Sequence, residues 1–180
     1  LEELVHQAGG EVAGRMAVLA EGDPMDGLVP GGEISDGRPV IVGFGPCGMF
    51  AALILAEMGY RPIVIERGDH VLARAAKVRH FLSTGELDTE TNIQFGAGGA
   101  GTFSDGKLVT RINDRRCRYV LERFAQFGAP REILMNAKPH IGTDRLLGVV
   151  AGIDSRIREL GGEIRYNTKL TGISVSGGKA

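Results

Sequence analysis

The chain has 180 residues, of which 43% are hydrophobic and 24% are charged, and its formal net charge is −1. These values are typical of a soluble chain of one domain or two small ones, and they argue against a disordered, collagen-like or membrane-embedded protein. The two cysteines, Cys47 and Cys117, are too few and too far apart for a disulfide framework or a zinc site. We therefore expect a reducing, cytoplasmic setting and no metal.

The charge is unevenly distributed along the chain. Residues 1–37 carry eight acidic residues and one basic residue, whereas residues 38–180 carry fourteen acidic and twenty basic residues. The near-neutral total argues against general nucleic-acid binding, while the basic body suits an anionic small molecule. Residues 1–37 end in a connector rich in glycine and proline, and we expect them to be a lead-in or the tail of an upstream region. Because the chain begins with Leu1, it is predicted to be a fragment of a longer protein.

The main predicted domain, residues 38–180, begins with a βαβ unit. Residues 38–42 form a short β-branched run, residues 43–48 a glycine turn, residues 49–58 an apolar helix and residues 62–65 a second apolar strand. This spacing fits a crossover connection, so the two strands should be parallel.

The rest of the domain alternates helices with irregular chain. Helices are predicted over residues 70–82, 114–127 and 143–160, the last from its 3.6-residue apolar period. Residues 83–107 have little periodicity and many glycines, which favours a functional loop. Residues 163–167 and 170–175 are two strand candidates, and the turn over residues 176–178 predicts a hairpin-like end in which a returning strand would follow.

The turn after the first strand has the spacing of a dinucleotide-binding fingerprint. Gly43 permits a tight turn, Gly45 allows a pyrophosphate to approach the backbone, and Gly48 lets the helix pack on the strand. Pro46 suits the first helical turn, and the helix N-terminus attracts phosphate. Glu66, at the end of the second strand, is expected to bind the hydroxyls of an adenosine ribose and to disfavour a 2′-phosphate. The alternative to a dinucleotide-binding turn is a glycine-rich turn in an unrelated α/β domain that binds no nucleotide.

A second glycine-rich segment favours FAD over NAD as the ligand. Residues 92–108 read N-I-Q-F-G-A-G-G-A-G-T-F-S-D-G-K-L, and a long cofactor would need such a second bed of backbone amides. This segment resembles that of uncharacterised bacterial FAD-dependent dehydrogenases, within the larger group of oxidoreductases with the glutathione-reductase type of FAD fold. Residues 138–144 and 167–173 are also similar to that family. In family members the segment that corresponds to residues 167–173 is a strand that passes beneath the adenine.

The resemblance implies a Rossmann-like, doubly wound parallel sheet that binds FAD. It implies hydride transfer between NAD(P)H and an unknown acceptor, with a small-molecule substrate. The net charge and the absence of a long apolar stretch predict neither a nucleic-acid nor a membrane partner. Family members are longer, so the domain is expected to be incomplete at its C-terminal side and inactive alone, with weak FAD binding. Two alternatives remain open, namely an NAD-first dehydrogenase and a non-catalytic flavin- or nucleotide-binding module. The residues predicted to bind the cofactor are Gly43, Gly45, Pro46, Cys47, Gly48, Glu66, Arg67, Arg74, Gly98, Gly99, Ala100, Gly101, Thr102, Asp105, Lys107, Lys169 and Leu170.

Several of these residues have competing interpretations, and no catalytic residue is predicted. For Cys47, packing of a small side chain is favoured over a redox role, because no second cysteine is near. Arg67 and Arg74 are predicted either to reach phosphates or flavin carbonyls or to lie on a solvated surface. Lys107 is placed to bring positive charge near a reduced flavin. His140 is a weaker functional candidate, and the cluster Arg111, Arg115, Arg116 and Arg118 is more typical of a solvated helix face than of a phosphate site.

Overall fold

The computed structural model describes residues 25, 28, 37–104, 106–108, 110–112, 114–136 and 139–176. These residues form an α/β arrangement of one three-stranded parallel sheet and four α-helices. The predicted lead-in, residues 1–37, lies outside the described residues apart from Met25, Leu28 and Gly37.

The predicted βαβ start is confirmed. Strand β1 spans Val40–Val42, helix α1 spans Pro46–Glu57 and strand β2 spans Ile63–Ile65. The strands are parallel, with Val40 opposite Ile63 and Val42 opposite Ile65. The helix ends beside Gly59, whose φ of 84° suits glycine and few other residues.

The second helix leads into the glycine-rich segment. Helix α2 spans Val71–Thr84 and ends at Gly85 in the left-handed conformation. The chain from residue 85 to 99 then has no regular structure, as predicted, and a 3-10 helix over Ala100–Phe103 follows it. An irregular segment of this length must satisfy its backbone polar groups by other means than a helix or sheet.

The remaining elements add two helices, a 3-10 helix and the third strand of the sheet. Helix α3 spans Arg116–Gln126, a 3-10 helix spans Arg131–Leu134, and helix α4 spans Thr143–Glu159. Strand β3 spans Glu163–Arg165 and pairs parallel to β2, which gives the strand order β1-β2-β3. The three predicted helices are thus confirmed within two residues at each end.

The apolar core lies on one face of the sheet. Ile41, Val64 and Ile164 belong to this core together with the buried faces of α1 and α4. Side chains alternate between the two faces of a strand, and on the opposite face Val40 and Val42 are 58% and 57% exposed. Because β1, β2 and β3 are parallel, their C-terminal ends lie at the same edge of the sheet.

The predicted strand over residues 170–175 is wrong, whereas the hairpin-like end stays a prediction, because residues 177–180 lie outside the described residues. After Arg165 there is one bridge residue, Ser176, and no strand among the described residues. Ile173 and Val175 are 68% and 69% exposed. Their apolar, β-branched character favours a strand, but a strand forms only beside a partner, and none of the described strands lies there.

Candidate functional site

The turn between β1 and α1 has the backbone geometry that its glycines predict. Gly43 has φ of 92°, and its amide donates to the carbonyl oxygen of Ile65 at 2.7 Å. Gly45 is the extended N-cap residue and Pro46 begins the helix. The helix N-terminus has no side-chain cap and no acidic residue in its first turn. It therefore presents amide groups and a partial positive charge at the edge where the strands end.

Two glycines of this turn have opposite surroundings. A Cβ on Gly48 would lie 1.9 Å from the carbonyl oxygen of Gly43, so the close contact of helix and strand requires glycine there. A Cβ on Gly45 would meet nothing within 4 Å. The space at Gly45 is open to a ligand, whereas the space at Gly48 is filled by the protein itself.

Glu66 is held rigidly just beyond β2. One carboxylate oxygen accepts from the amide of Phe44 at 2.7 Å and the other from the amide of Gly68 at 2.7 Å. The side chain is 4% exposed. A carboxylate has about four lone-pair positions, so each oxygen can still accept a further hydrogen bond from a ligand.

The two glycine-rich segments meet in space. The amide of Gly98 donates to the carbonyl oxygen of Phe44 at 2.8 Å. A Cβ on Gly99 would lie 2.8 Å from Cδ of Pro46 and 3.5 Å from Cα of Gly45. Backbone thus lies against backbone where the loop crosses the turn, and the structure brings together two segments that are about fifty residues apart.

Arg74 holds the glycine-rich loop, which we define as residues 92–101. Its guanidinium is fully buried and donates to five backbone carbonyl oxygens of this loop at 2.7–3.2 Å, those of Asn92, Ile93, Gly96, Ala97 and Gly99. Burial lowers the pKa of Arg74 to about 10, an effect that the negative charge of Glu66 opposes. Of the two alternatives predicted for Arg74, the solvated surface is wrong, because the loop folds over the side chain.

A cleft of about 340 Å³ opens where these elements converge. It is lined by Val42, Gly43, Gly45, Ile65, Glu66, Arg67, Gln94, Phe95, Gly96, Gly99, Thr168, Lys169 and Leu170. Seven of the predicted ligand-binding residues are among them, namely Gly43, Gly45, Glu66, Arg67, Gly99, Lys169 and Leu170. The cleft therefore joins the turn, the end of β2, the glycine-rich loop and the chain after β3.

Other predicted site residues lie outside this lining. Pro46, Cys47, Gly48, Arg74, Gly98, Ala100, Gly101, Thr102 and Lys107 do not line the cleft, and Asp105 is outside the described residues. Thr102 is buried beneath the loop, where its hydroxyl occupies the space of a Cβ on Gly98. Lys107 forms an antiparallel bridge with His140. These two candidate functional residues are therefore neighbours, but neither lines the cleft.

The expectation that Cys47 packs as a small side chain is wrong. Cys47 is exposed in the first turn of α1, because successive residues of a helix point in different directions and only Gly48 and Met49 face inward there. Four residues that line the cleft are not among the predicted cofactor-binding residues, namely Gln94, Phe95, Gly96 and Thr168. All four lie in residues 92–108 and 167–173, the segments that resemble the FAD-dependent dehydrogenases, and that resemblance could have indicated them.

Charged side chains form a linked group beside the cleft. The carboxylate of Glu90 lies 3.1 Å from Nε of Arg67 and 3.2 Å from Nζ of Lys169. The guanidinium of Arg67 also stacks on the Phe95 ring, 3.9 Å from its centroid, and donates to the carbonyl oxygen of Thr89 at 2.9 Å. These contacts with Glu90, Phe95 and Thr89 hold the Arg67 guanidinium at the cleft.

A buried polar cluster supports the strand ends from the side of α4. Asp154 accepts hydrogen bonds from Tyr166 Oη and, at 2.5 Å, from Nε of Arg158. The Tyr166 ring packs edge-on against Phe44 and His70. Burial, and secondarily the hydrogen bond to Asp154, raises the pKa of Tyr166 far above its usual range. The cluster thus connects α4 to the first glycine turn.

Three of the four arginines in the basic cluster near the start of α3 lie on the surface. Arg111, Arg115 and Arg116 are exposed, and Arg116 pairs with Asp114 at 2.6 Å. No group of three or more histidine, cysteine, aspartate or glutamate side chains in the described part of the chain could hold a metal ion. Among the described helices, none has both the length and the apolar character of a membrane span.

Comparison with known proteins shows similarity to part of a longer protein. No protein-family model matches the chain. An uncharacterized protein of Clostridium beijerinckii is 52% identical over 155 residues, which cover 86% of this chain and 29% of that protein. The chain therefore spans less than a third of the length of the relative that it matches.

Proposed function

We propose that the cleft binds the adenosine diphosphate part of FAD and that the protein is an FAD-dependent oxidoreductase. In this proposal hydride passes between NAD(P)H and an acceptor that is a small molecule. The observation that carries it is the convergence, in one cleft, of the Gly43–Gly45 turn, the carboxylate of Glu66 and the glycine-rich loop. Each alone is common in α/β proteins, whereas their meeting at the strand ends favours a dinucleotide.

The residues present fit the nucleotide portion of FAD. The open space at Gly45 and the uncapped N-terminus of α1 suit a pyrophosphate. The remaining lone pairs of Glu66 suit the two hydroxyls of a ribose. The cleft volume of about 340 Å³ lies at the lower end of the roughly 300–1,000 Å³ of ligand pockets, which suits a nucleotide and leaves the flavin ring to be covered elsewhere.

Within this proposal the domain is Rossmann-like and doubly wound, and Lys169 and Leu170 border the adenine. FAD, when bound, supplies the hydride-transfer chemistry. The chain's own residues bind and orient the nucleotide: the first turn receives phosphate, Glu66 holds the ribose, and Arg74 keeps the glycine-rich loop in place. A cytoplasmic setting belongs to the same proposal and rests on the low cysteine content.

The proposal is tested by identifying the ligand that a full-length protein containing these residues retains on purification, because weak FAD binding is expected of residues 1–180 alone. Mass spectrometry of the released ligand should detect FAD, and the protein should show flavin absorbance. Gly45→Val should lose the ligand and keep its unfolding midpoint, because the position is extended and open. Gly148→Val is the matched control, since a Cβ there also meets nothing within 4 Å but lies outside the cleft.

Three outcomes contradict the proposal in different ways. Retained NAD without flavin would favour an NAD-first dehydrogenase. Retained FAD that neither NADH nor NADPH bleaches would favour a binding module without turnover. If Gly45→Val still retained flavin, the turn would not be the phosphate site.

A further inference from the structure

Arg67, Glu90 and Lys169 form a network of ion pairs beside the cleft. The two oxygens of the Glu90 carboxylate are divided between two cations: Oε2 lies 3.1 Å from Nε of Arg67 and Oε1 lies 3.2 Å from Nζ of Lys169. Both cations line the cleft. They come from segments about a hundred residues apart, and one carboxylate holds them together.

We propose that Glu90 determines which ribose the cleft accepts, by occupying two cations that would otherwise bind a phosphate group next to the ribose. Glu66 already disfavours a 2′-phosphate by its negative charge, and Glu90 adds to this preference for a free 2′-hydroxyl because it occupies the two cations that could offset that charge. This inference rests on the proposed function, because it concerns the adenosine end of the same ligand. Glu90 is a specificity-determining residue and takes no part in the reaction.

The charges at the cleft support this assignment. Arg67 and Lys169 contribute two positive charges, and Glu66 and Glu90 contribute two negative charges, so the group is neutral as a whole. A 2′-phosphate carries about −1.5 to −2 at neutral pH and would enter this neutral group with no unpaired cation to receive it. Without Glu90 the same group would carry one net positive charge.

The geometry also supports it. Lys169 donates a hydrogen bond to Glu90, whereas Arg67 contacts it as an ion pair and its Nε has no hydrogen-bond partner among the described residues. Two cations that share one carboxylate are spaced so that they can share one phosphate, whose oxygens can accept charge-assisted hydrogen bonds from both. Arg67 is further fixed by the Phe95 ring and by the carbonyl oxygen of Thr89. Removal of Glu90 therefore leaves Arg67 in place and available, rather than free to swing into solvent.

The test compares two ligands that differ only in the 2′-phosphate, adenosine 5′-monophosphate and adenosine 2′,5′-bisphosphate. Dissociation constants are measured by NMR titration of the wild-type protein and of Glu90→Gln. We expect the wild type to prefer the monophosphate. In Glu90→Gln the affinity for the bisphosphate should rise about tenfold or more, the scale of one charge-assisted hydrogen bond, while the affinity for the monophosphate changes less than about threefold.

Two further variants provide controls. Glu86→Gln removes the same charge at a site where the side chain is 77% exposed and pairs with His80, and it should leave both affinities unchanged. Glu90→Asp keeps the charge and should keep the preference of the wild type. Amide dispersion in the same NMR spectra verifies that each variant is folded.

The outcomes separate this inference from the proposed function. If the wild type binds the monophosphate but Glu90→Gln gains no affinity for the bisphosphate, Glu90 does not set the specificity and the nucleotide site stands. An equal gain for both ligands, or the same gain in Glu86→Gln, would also overturn the inference. If the wild type binds neither ligand, the cleft is not an adenosine site and both proposals fail.

Discussion

Replacement of Arg74 by methionine should destabilise the protein strongly, because this side chain supports the glycine-rich loop from within. The guanidinium is fully buried and donates to five backbone carbonyl oxygens at 2.7–3.2 Å. Methionine is unbranched and flexible and fills the space of the aliphatic stem of arginine. The variant therefore removes hydrogen-bond donors without opening a large cavity.

The magnitude follows from the carbonyl groups that lose a donor. Those of Gly96 and Gly99 also accept from backbone amides, at 3.0 and 3.3 Å, so their loss is partial. Those of Asn92, Ile93 and Ala97 accept from Arg74, and a buried acceptor without a partner costs about 1–3 kcal/mol. Relaxation of the loop, and relief of the burial that lowers the pKa of Arg74, offset part of this cost. We expect a net loss of about 3–5 kcal/mol, a large share of the roughly 5–15 kcal/mol of a typical domain.

The assay combines urea unfolding with hydrogen exchange of the peptide that covers residues 92–103. Arg74→Lys keeps the positive charge but not the planar fork, so it should recover less than half of the lost free energy of unfolding. Arg79→Met, at an exposed position of the same helix, is the matched control and should change stability by at most about 0.5 kcal/mol. The reasoning would be refuted if Arg74→Met lost less than about 1 kcal/mol and left exchange in the loop unchanged.

Three further predictions address the turn and the polar cluster. Gly48→Ala should cost about 3 kcal/mol or more of unfolding free energy in urea, since its Cβ would lie 1.9 Å from the carbonyl oxygen of Gly43; a wild-type midpoint would contradict this contact. Tyr166→Phe should lose about 1–3 kcal/mol by leaving Asp154 without one donor. The raised pKa of Tyr166 stabilises the fold below about pH 10, and this stability should fall as pH rises further, because the unfolded tyrosine ionises first; chemical denaturation between pH 8 and about pH 11 should show a shallower fall in Tyr166→Phe. Cys47 is exposed and should react with a thiol reagent in the native state, which mass spectrometry of labelled peptides would detect.

The βαβ start could be predicted from the sequence because its signals are local. A β-branched run predicts β1, and glycines at positions 43, 45 and 48 predict a turn that opens a helix. The position of Glu66 follows from the length of β2. Each of these inferences needs only neighbouring residues, and the structure bears out the elements on which they depend.

Features set by distant contacts were not predictable in the same way. An arginine on a basic helix is usually solvated, and nothing near Arg74 in the sequence indicates that a loop about twenty residues later folds over it. The alternation in residues 170–175 predicts a strand, yet strand formation depends on a partner elsewhere. The pairing of Glu90 with both Arg67 and Lys169 likewise joins three separate segments.

The sheet combines one short-range and one long-range pairing, and this sets the order of events in folding. Ile63 pairs with Val40, 23 residues earlier, and with Glu163, 100 residues later. Closing the longer loop costs about 1.3 kcal/mol more in chain entropy, since each doubling of loop length adds about 0.6 kcal/mol. We therefore expect the βαβ unit to form early and β3 to dock in a slower step, an order that pulse-labelled hydrogen exchange during refolding would check. Because residues 168–170 line the cleft just after β3, the cleft exists only once this last strand has docked, so on the ribosome no ligand can be captured until the chain is synthesised past that point.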